Sequence, residues 1–172
     1  MPIYALGDVE PTIHETAFVH PEAVIIGNVT IGAGTSIWPC AVLRGDTNFI
    51  SIGSRTSIQD GAVIHCTASL PTVVGDDCTV GHNAHLEGCT IDSQALIGSG
   101  ALVLHNVRVG SNALVAAGAV CAQGLEIPEF ALAIGVPARI KEGAADQETM
   151  EYSRMSYQRL ASEYPQKLRR ID

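Results

Sequence analysis

The stretch Thr12–Ile37, TIHETAFVHPEAVIIGNVTIGAGTSI, decides the fold. Within it Ile13, Val19, Ile25, Ile31 and Ile37 stand six residues apart without a break. An amphipathic helix repeats about every 3.6 residues and a plain strand every two, so neither alone explains the period. The spacing returns at Ile52, Ile58 and Ile64, then at Val74, Val80 and Leu86. A last run holds Ile91, Ile97, Val103, Val109, Val115, Cys121 and Ile127. Each unit supplies a short strand with one aliphatic side chain pointing in, followed by a tight turn that Gly, Asn or Asp tolerates. Three units make a triangular coil, and stacked coils share an interior that no single unit can bury alone.

The fold class read from this pattern is all-β: a left-handed parallel β-helix of hexapeptide repeats over residues 1–140. A C-terminal α-helix over residues 141–172 packs on the solenoid. Beyond Gly135-Val136-Pro137-Ala138 the period changes, and Met150, Ser153, Tyr157, Leu160 and Tyr164 fit one face of a helix. Asp146 is placed to cap its start and Pro165 to stop or kink it. The polar face carries both signs of charge, which suits packing on the solenoid and not a membrane surface. The hexapeptide register breaks at 37–52 and 64–74, where loops are expected to leave the coil.

Composition sets the outer bounds. The chain has 172 residues, 47% of them hydrophobic and only 5% aromatic, so the core is built from small aliphatic side chains. A formal net charge of -8 argues against a nucleic-acid partner, which needs clustered Lys and Arg. The opening MPIYALGDVE lacks a basic region followed by an apolar stretch, and no run is long enough to span a membrane. The five cysteines are odd in number and include no C-x-x-C pair, so buried free thiols in a reducing cytoplasmic setting are expected.

Of the six histidines, His14, His20 and His105 read as turn or surface residues. His65 follows the inward Ile64 by one residue, and Glu87 follows the inward Leu86 by one. Val74, Val80 and Leu86 are the next three inward positions after Ile64, so Leu86 lies one coil later. His65 and Glu87 therefore stack on one outward face, roughly 4.8 Å apart at strand spacing. His82, two residues after Val80, falls on a neighbouring face or corner and cannot easily join them within its own chain. A threefold-related copy would bring its own His82 to the pair. Two histidines and a carboxylate are an acceptable zinc set that leaves a position open for water. His85, on the same outward side as Glu87, stays an alternative third donor.

These residues resemble the gamma-class carbonic anhydrases. The resemblance is carried by Ile37-Trp38, Ala41-Val42-Leu43-Arg44-Gly45-Asp46, Ile58-Gln59-Asp60-Gly61 with His65, Val80-Gly81-His82, and Gly88-Cys89-Thr90-Ile91. It covers essentially the whole chain and is strongest toward the short, loop-poor members. It implies a homotrimer with interfacial sites for Zn2+ (Fe2+ or Co2+ also fitting) and reversible hydration of carbon dioxide to bicarbonate. By position, His65 and His82 are metal ligands, and Gln59 orients hydroxide or bicarbonate. Arg44, Asp46 and Asp60 match the family's interfacial ion-pair and hydrogen-bond set.

The chain departs from the family at the third ligand, where the pattern His-x4-His places Glu87. That departure leaves three outcomes: Glu87 ligates as an anionic donor, His85 takes its place, or hydration is lost. A metal brings the pKa of its water to roughly 7. An anionic ligand makes that water less acidic, so hydration is expected to be slow at neutral pH and to rise into alkali. The segment Thr67–Val73 carries no acid to export protons. Two other readings stand beside this one: a hexapeptide-repeat acyltransferase with a histidine base and coenzyme A, and a non-catalytic trimeric scaffold or small-ligand binder.

Overall fold

The computed structural model describes residues 2–172. The chain winds into a parallel β-solenoid of about 7 turns, followed by one helix. Three inward ladders run along it, one per face. Leu43, Ile64, Leu86, Val103 and Cys121 pair in register on the first. Ile52, Val74, Ile91, Val109 and Ile127 form the second. Ile37, Ile58, Val80, Ile97 and Val115 form the third. All are buried, and each large aliphatic so removed from water contributes about 1.5–3 kcal/mol. Alanines 41, 62, 84, 101 and 119 are buried where the chain turns toward the first face and leave room for the long side chains beside them.

The two register breaks behave differently. Between Cys66 and Pro71 a short loop does leave the coil, closed by reciprocal backbone bonds between Thr67 and Leu70 of 2.9 and 3.2 Å. No loop forms at 37–52, contrary to the sequence expectation. Val42–Ile52 is one continuous strand of 11 residues alongside Val24–Ile31, and its extra residues are taken up as a register shift between Gly27 and Val29. Glycine makes this possible. Gly27 has φ +72°, and a Cβ on Gly45 would run into the Asn28 carbonyl oxygen, so the backbones approach too closely for any side chain. Because both strands turn a corner without interruption, two faces merge into one 12-stranded sheet while the third face is a separate 8-stranded sheet.

The helix Gln147–Lys167 lies on that third face, over strands Phe18–Val19, Ser36–Ile37, Ser57–Ile58 and Thr79–Val80. Asp146 caps it as expected, accepting from the Thr149 N–H at 3.1 Å. Tyr157 and Tyr164 meet the edge of Trp38, with ring centroids 5.5 and 4.8 Å away. The Trp38 indole N–H is shared between the hydroxyls of Ser36 and Ser57, both at 3.0 Å. Pro165 does not stop the helix. It sits in the last turn, where the helix is closed by the Leu168 N–H donating to the Tyr164 carbonyl at 2.8 Å. Four of the five cysteines are buried as expected, whereas Cys40 is exposed at a corner whose φ of +60° turns it out of the coil.

Candidate metal centre

The strands Val63–His65 and His85–Glu87 stack in register, which sets Leu86 over Ile64 inside and Glu87 over His65 outside. The side chains meet: His65 Nδ1 lies 2.7 Å from Glu87 Oε1. On its other side His65 Nε2 lies 2.9 Å from Asp46 Oδ1, and Asp46 is ion-paired with Arg44. Arg44 belongs to the neighbouring strand in the same outward row, paired with His65. The bulge at Gly45 swings Asp46 back toward His65, so the glycine contact described above has a direct consequence for the site.

The electrostatics follow from these contacts. The His65 hydrogen bond holds the Glu87 carboxyl below the usual carboxylate range, and it outweighs the partial burial that acts in the opposite direction. For Asp46 burial pushes upward, but the hydrogen bonds from His65 and Arg44 prevail and its pKa is lowered. Both acids are thus held as anions around one imidazole.

Two further histidines face Glu87. His85 Nε2 stands 3.5 Å and His105 Nε2 3.4 Å from Glu87 Oε2. His105 sits in a turn with its side chain 38% exposed, as expected, and still reaches Glu87. Its Nε2 is buried and, among the described residues, has no hydrogen-bond partner. His14 and His20 do behave as turn residues, accepting backbone N–H groups from Thr16 and Glu22 at 3.2 Å each.

His82 lies at the turn after Thr79–Val80, on the helix-covered face and away from the His65 cluster. Its Nδ1 is 2.9 Å from Asp60 Oδ2, and its Nε2 is 3.2 Å from the Tyr157 hydroxyl. Tyr157 was visible in the sequence only as a helix-face residue. Nothing in the repeat shows which solenoid side chain that face will meet. Gln59, beside Asp60, is buried at 3% exposure. Among the described residues no three histidine, cysteine or acidic side chains of one chain form a ready-made ion site.

The comparisons with known proteins bear on the family and the fold. The bacterial transferase hexapeptide (six repeats) family matches residues 10–45. Gamma carbonic anhydrase 1, mitochondrial, of Arabidopsis thaliana is 42% identical over 162 residues, covering 90% of this chain. The chain spans 59% of that relative's own length. The carnitine operon protein CaiE of Escherichia coli strain K12 is 38% identical over 148 residues, covering 86% of this chain and 76% of CaiE. Among solved structures, a hexapeptide transferase family protein from Anaplasma phagocytophilum superposes with a TM-score of 0.90 at 33% identity, covering 95% of this chain and 98% of its own. On the hexapeptide coil, the motifs and these relatives together, the chain belongs to the gamma carbonic anhydrase-like family of hexapeptide-repeat proteins.

Proposed function

We propose that this chain is the subunit of a homotrimer that holds a divalent metal, zinc in the first instance, between His65 and Glu87 of one chain and His82 of a neighbour. In this reading the assembly hydrates carbon dioxide reversibly. The observation that carries the reading is the His65–Glu87 contact. The His65 ring is bracketed by two carboxylates, Asp46 at Nε2 and Glu87 at Nδ1. When Nε2–H donates to Asp46, the place between Nδ1 and Glu87 takes a cation, and a proton or a divalent metal fills it. An imidazole nitrogen and a carboxylate oxygen are both zinc ligand types, so the donor set is compatible with the metal.

The outer contacts fit as well. A ligating histidine almost always gives its other ring nitrogen to a carboxylate or carbonyl. Asp60 does this for His82 at Nδ1, leaving Nε2 as the ligating nitrogen, which in the single chain meets the Tyr157 hydroxyl at 3.2 Å and would exchange that contact for the metal. Asp46, fixed by Arg44, does it for His65. The outward face around His65 also exposes apolar side chains, with Val63 at 38% and Leu102 at 37% exposure, which suits a subunit contact.

A metal held there would act as a Lewis acid that makes water more acidic, with the anionic Glu87 moving that activation toward alkaline pH. The protein's own work is to place it: Asp46 and Asp60 hold the two rings, and Gln59, buried next to Asp60, would supply the amide that orients a bound oxygen. Glu87 completes the set as an anion.

The test is metal content per chain by elemental mass spectrometry, joined to the oligomeric mass and to stopped-flow hydration of carbon dioxide. About one metal per chain in a trimer with hydration above buffer supports the reading. A trimer that refuses added zinc sinks it in favour of a scaffold. The transferase name of the Anaplasma phagocytophilum structure keeps a second reading in view. Turnover of acetyl-coenzyme A with a small acceptor would establish that alternative.

A further inference from the structure

The Glu87 carboxylate is met from both sides. Its Oε1 faces His65 at 2.7 Å, while its Oε2 faces His85 Nε2 at 3.5 Å and His105 Nε2 at 3.4 Å. We propose that His85 and His105 are positioning residues for Glu87, gripping its second oxygen so that a flexible acid works as the third metal donor. The inference rests on the metal-site reading above.

Three observations support it. The first is rotamer freedom. A glutamate side chain has more rotatable bonds than a histidine, so a fixed orientation costs more entropy unless other groups hold it. The second is the row in which His85 stands. Val24, Val42, Val63, His85, Leu102 and Val120 pair in sequence along one outward row, and His85 is the one polar member. Packing gives no reason for an imidazole among aliphatics, whereas Glu87 two residues on gives one. The third is His105 Nε2, a buried polar atom with no hydrogen-bond partner among the described residues. Buried polar atoms are almost always paired, and Glu87 Oε2 stands 3.4 Å from this one without yet completing a hydrogen bond. His105 comes from the next coil, as the Asn106 N–H to Gly88 carbonyl bond of 2.7 Å shows, so the grip spans two levels of the solenoid.

Ligand-orienting groups act through the ligand, so their effect should vanish when the ligand changes. The experiment measures zinc affinity of the full chain by competition with a chromophoric chelator. His85→Ala and His105→Ala are compared in the native background and in Glu87→His, with circular dichroism confirming the fold. In the native background each alanine variant should weaken zinc about 10- to 100-fold. Gln at either position, which keeps an N–H donor, should recover much of the loss. In the Glu87→His background the same substitutions should change affinity by no more than about threefold, since a ring ligand needs no grip on a second oxygen.

Equal losses in both backgrounds, or no loss in the native one, overturn the proposal while leaving the metal site standing. Zinc bound by Glu87→His but not by the native chain shows that Glu87 is not a working donor and also overturns it. Zinc bound by neither overturns the metal reading together with this inference.

Discussion

Glu87 sits one coil above His65 in strict register, with its Oε1 2.7 Å from the His65 Nδ1. That single pairing converts a repeat into a chemical site, and Glu87 is the position to change first. Glu87→Gln keeps the shape and removes the charge, so a metal held as proposed between the two side chains would lose its anionic partner. Zinc affinity is expected to fall by about 10-fold or more. Glu87→His, which restores the family's ligand type, is expected to bind zinc at least as tightly as the native chain. Isothermal titration of the two variants with zinc checks both directions.

The carboxylates also predict the acid response. Asp46 and Glu87 have folded pKa values below their usual ones. Their contribution to stability is therefore present above the unfolded values of about 3.9 and 4.3, and is lost as pH falls through the lowered folded values. Urea midpoints measured from pH 6 down to pH 3 should drop for the native chain. Asp46→Asn and Glu87→Gln should each start lower at pH 6 and show a shallower drop. Parallel curves for native and variant chains would count against the assignment.

How much of this was readable in advance differs residue by residue. Counting inward aliphatics from Ile64 to Leu86 gives one coil, so the His65–Glu87 stack was legible. The same counting set His82 on another face. It hid His105, because the register puts Leu104 in the row above Glu87 and leaves His105 at a corner from which it reaches back. Periodicity describes faces, and corners escape it. The bulge at Gly45 was misread as a loop for a related reason. Whether extra residues leave a coil or stay hydrogen-bonded depends on backbone approach between strands, and one strand's sequence does not report that. Tyr157 on His82 is a contact across 75 positions and depends on how the helix docks.

Thiol chemistry offers a check on the core that needs no mutation. Burial pushes Cys78 and Cys89 up to about 12 and Cys121 up to about 11, so little thiolate exists near neutrality. Cys66 is buried, and Cys40 alone is exposed. An aromatic disulfide reagent at pH 8 should modify no more than one thiol per folded chain and all five after denaturation. Rapid reaction of two or more in the folded chain would contradict the solenoid interior described above.

Gly45 provides the last prediction, because there the fold and the site meet. A Cβ at this position would run into the Asn28 carbonyl oxygen, which is backbone and cannot rotate away. Gly45→Ala must therefore push apart the strands Val24–Ile31 and Val42–Ile52 where the register shifts, at a cost of about 1–3 kcal/mol. The same displacement moves Asp46, the next residue, off His65 Nε2. Thermal unfolding should show the destabilisation, and zinc affinity should fall with it. Gly7→Ala makes the control, since a Cβ there meets nothing within 4 Å although φ is +60°. It should cost stability through backbone strain alone and leave zinc binding unchanged. If Gly45→Ala lowered stability but kept native zinc affinity, Asp46 would not be what orients His65, and Arg44 and Asp46 would be left with a purely structural role.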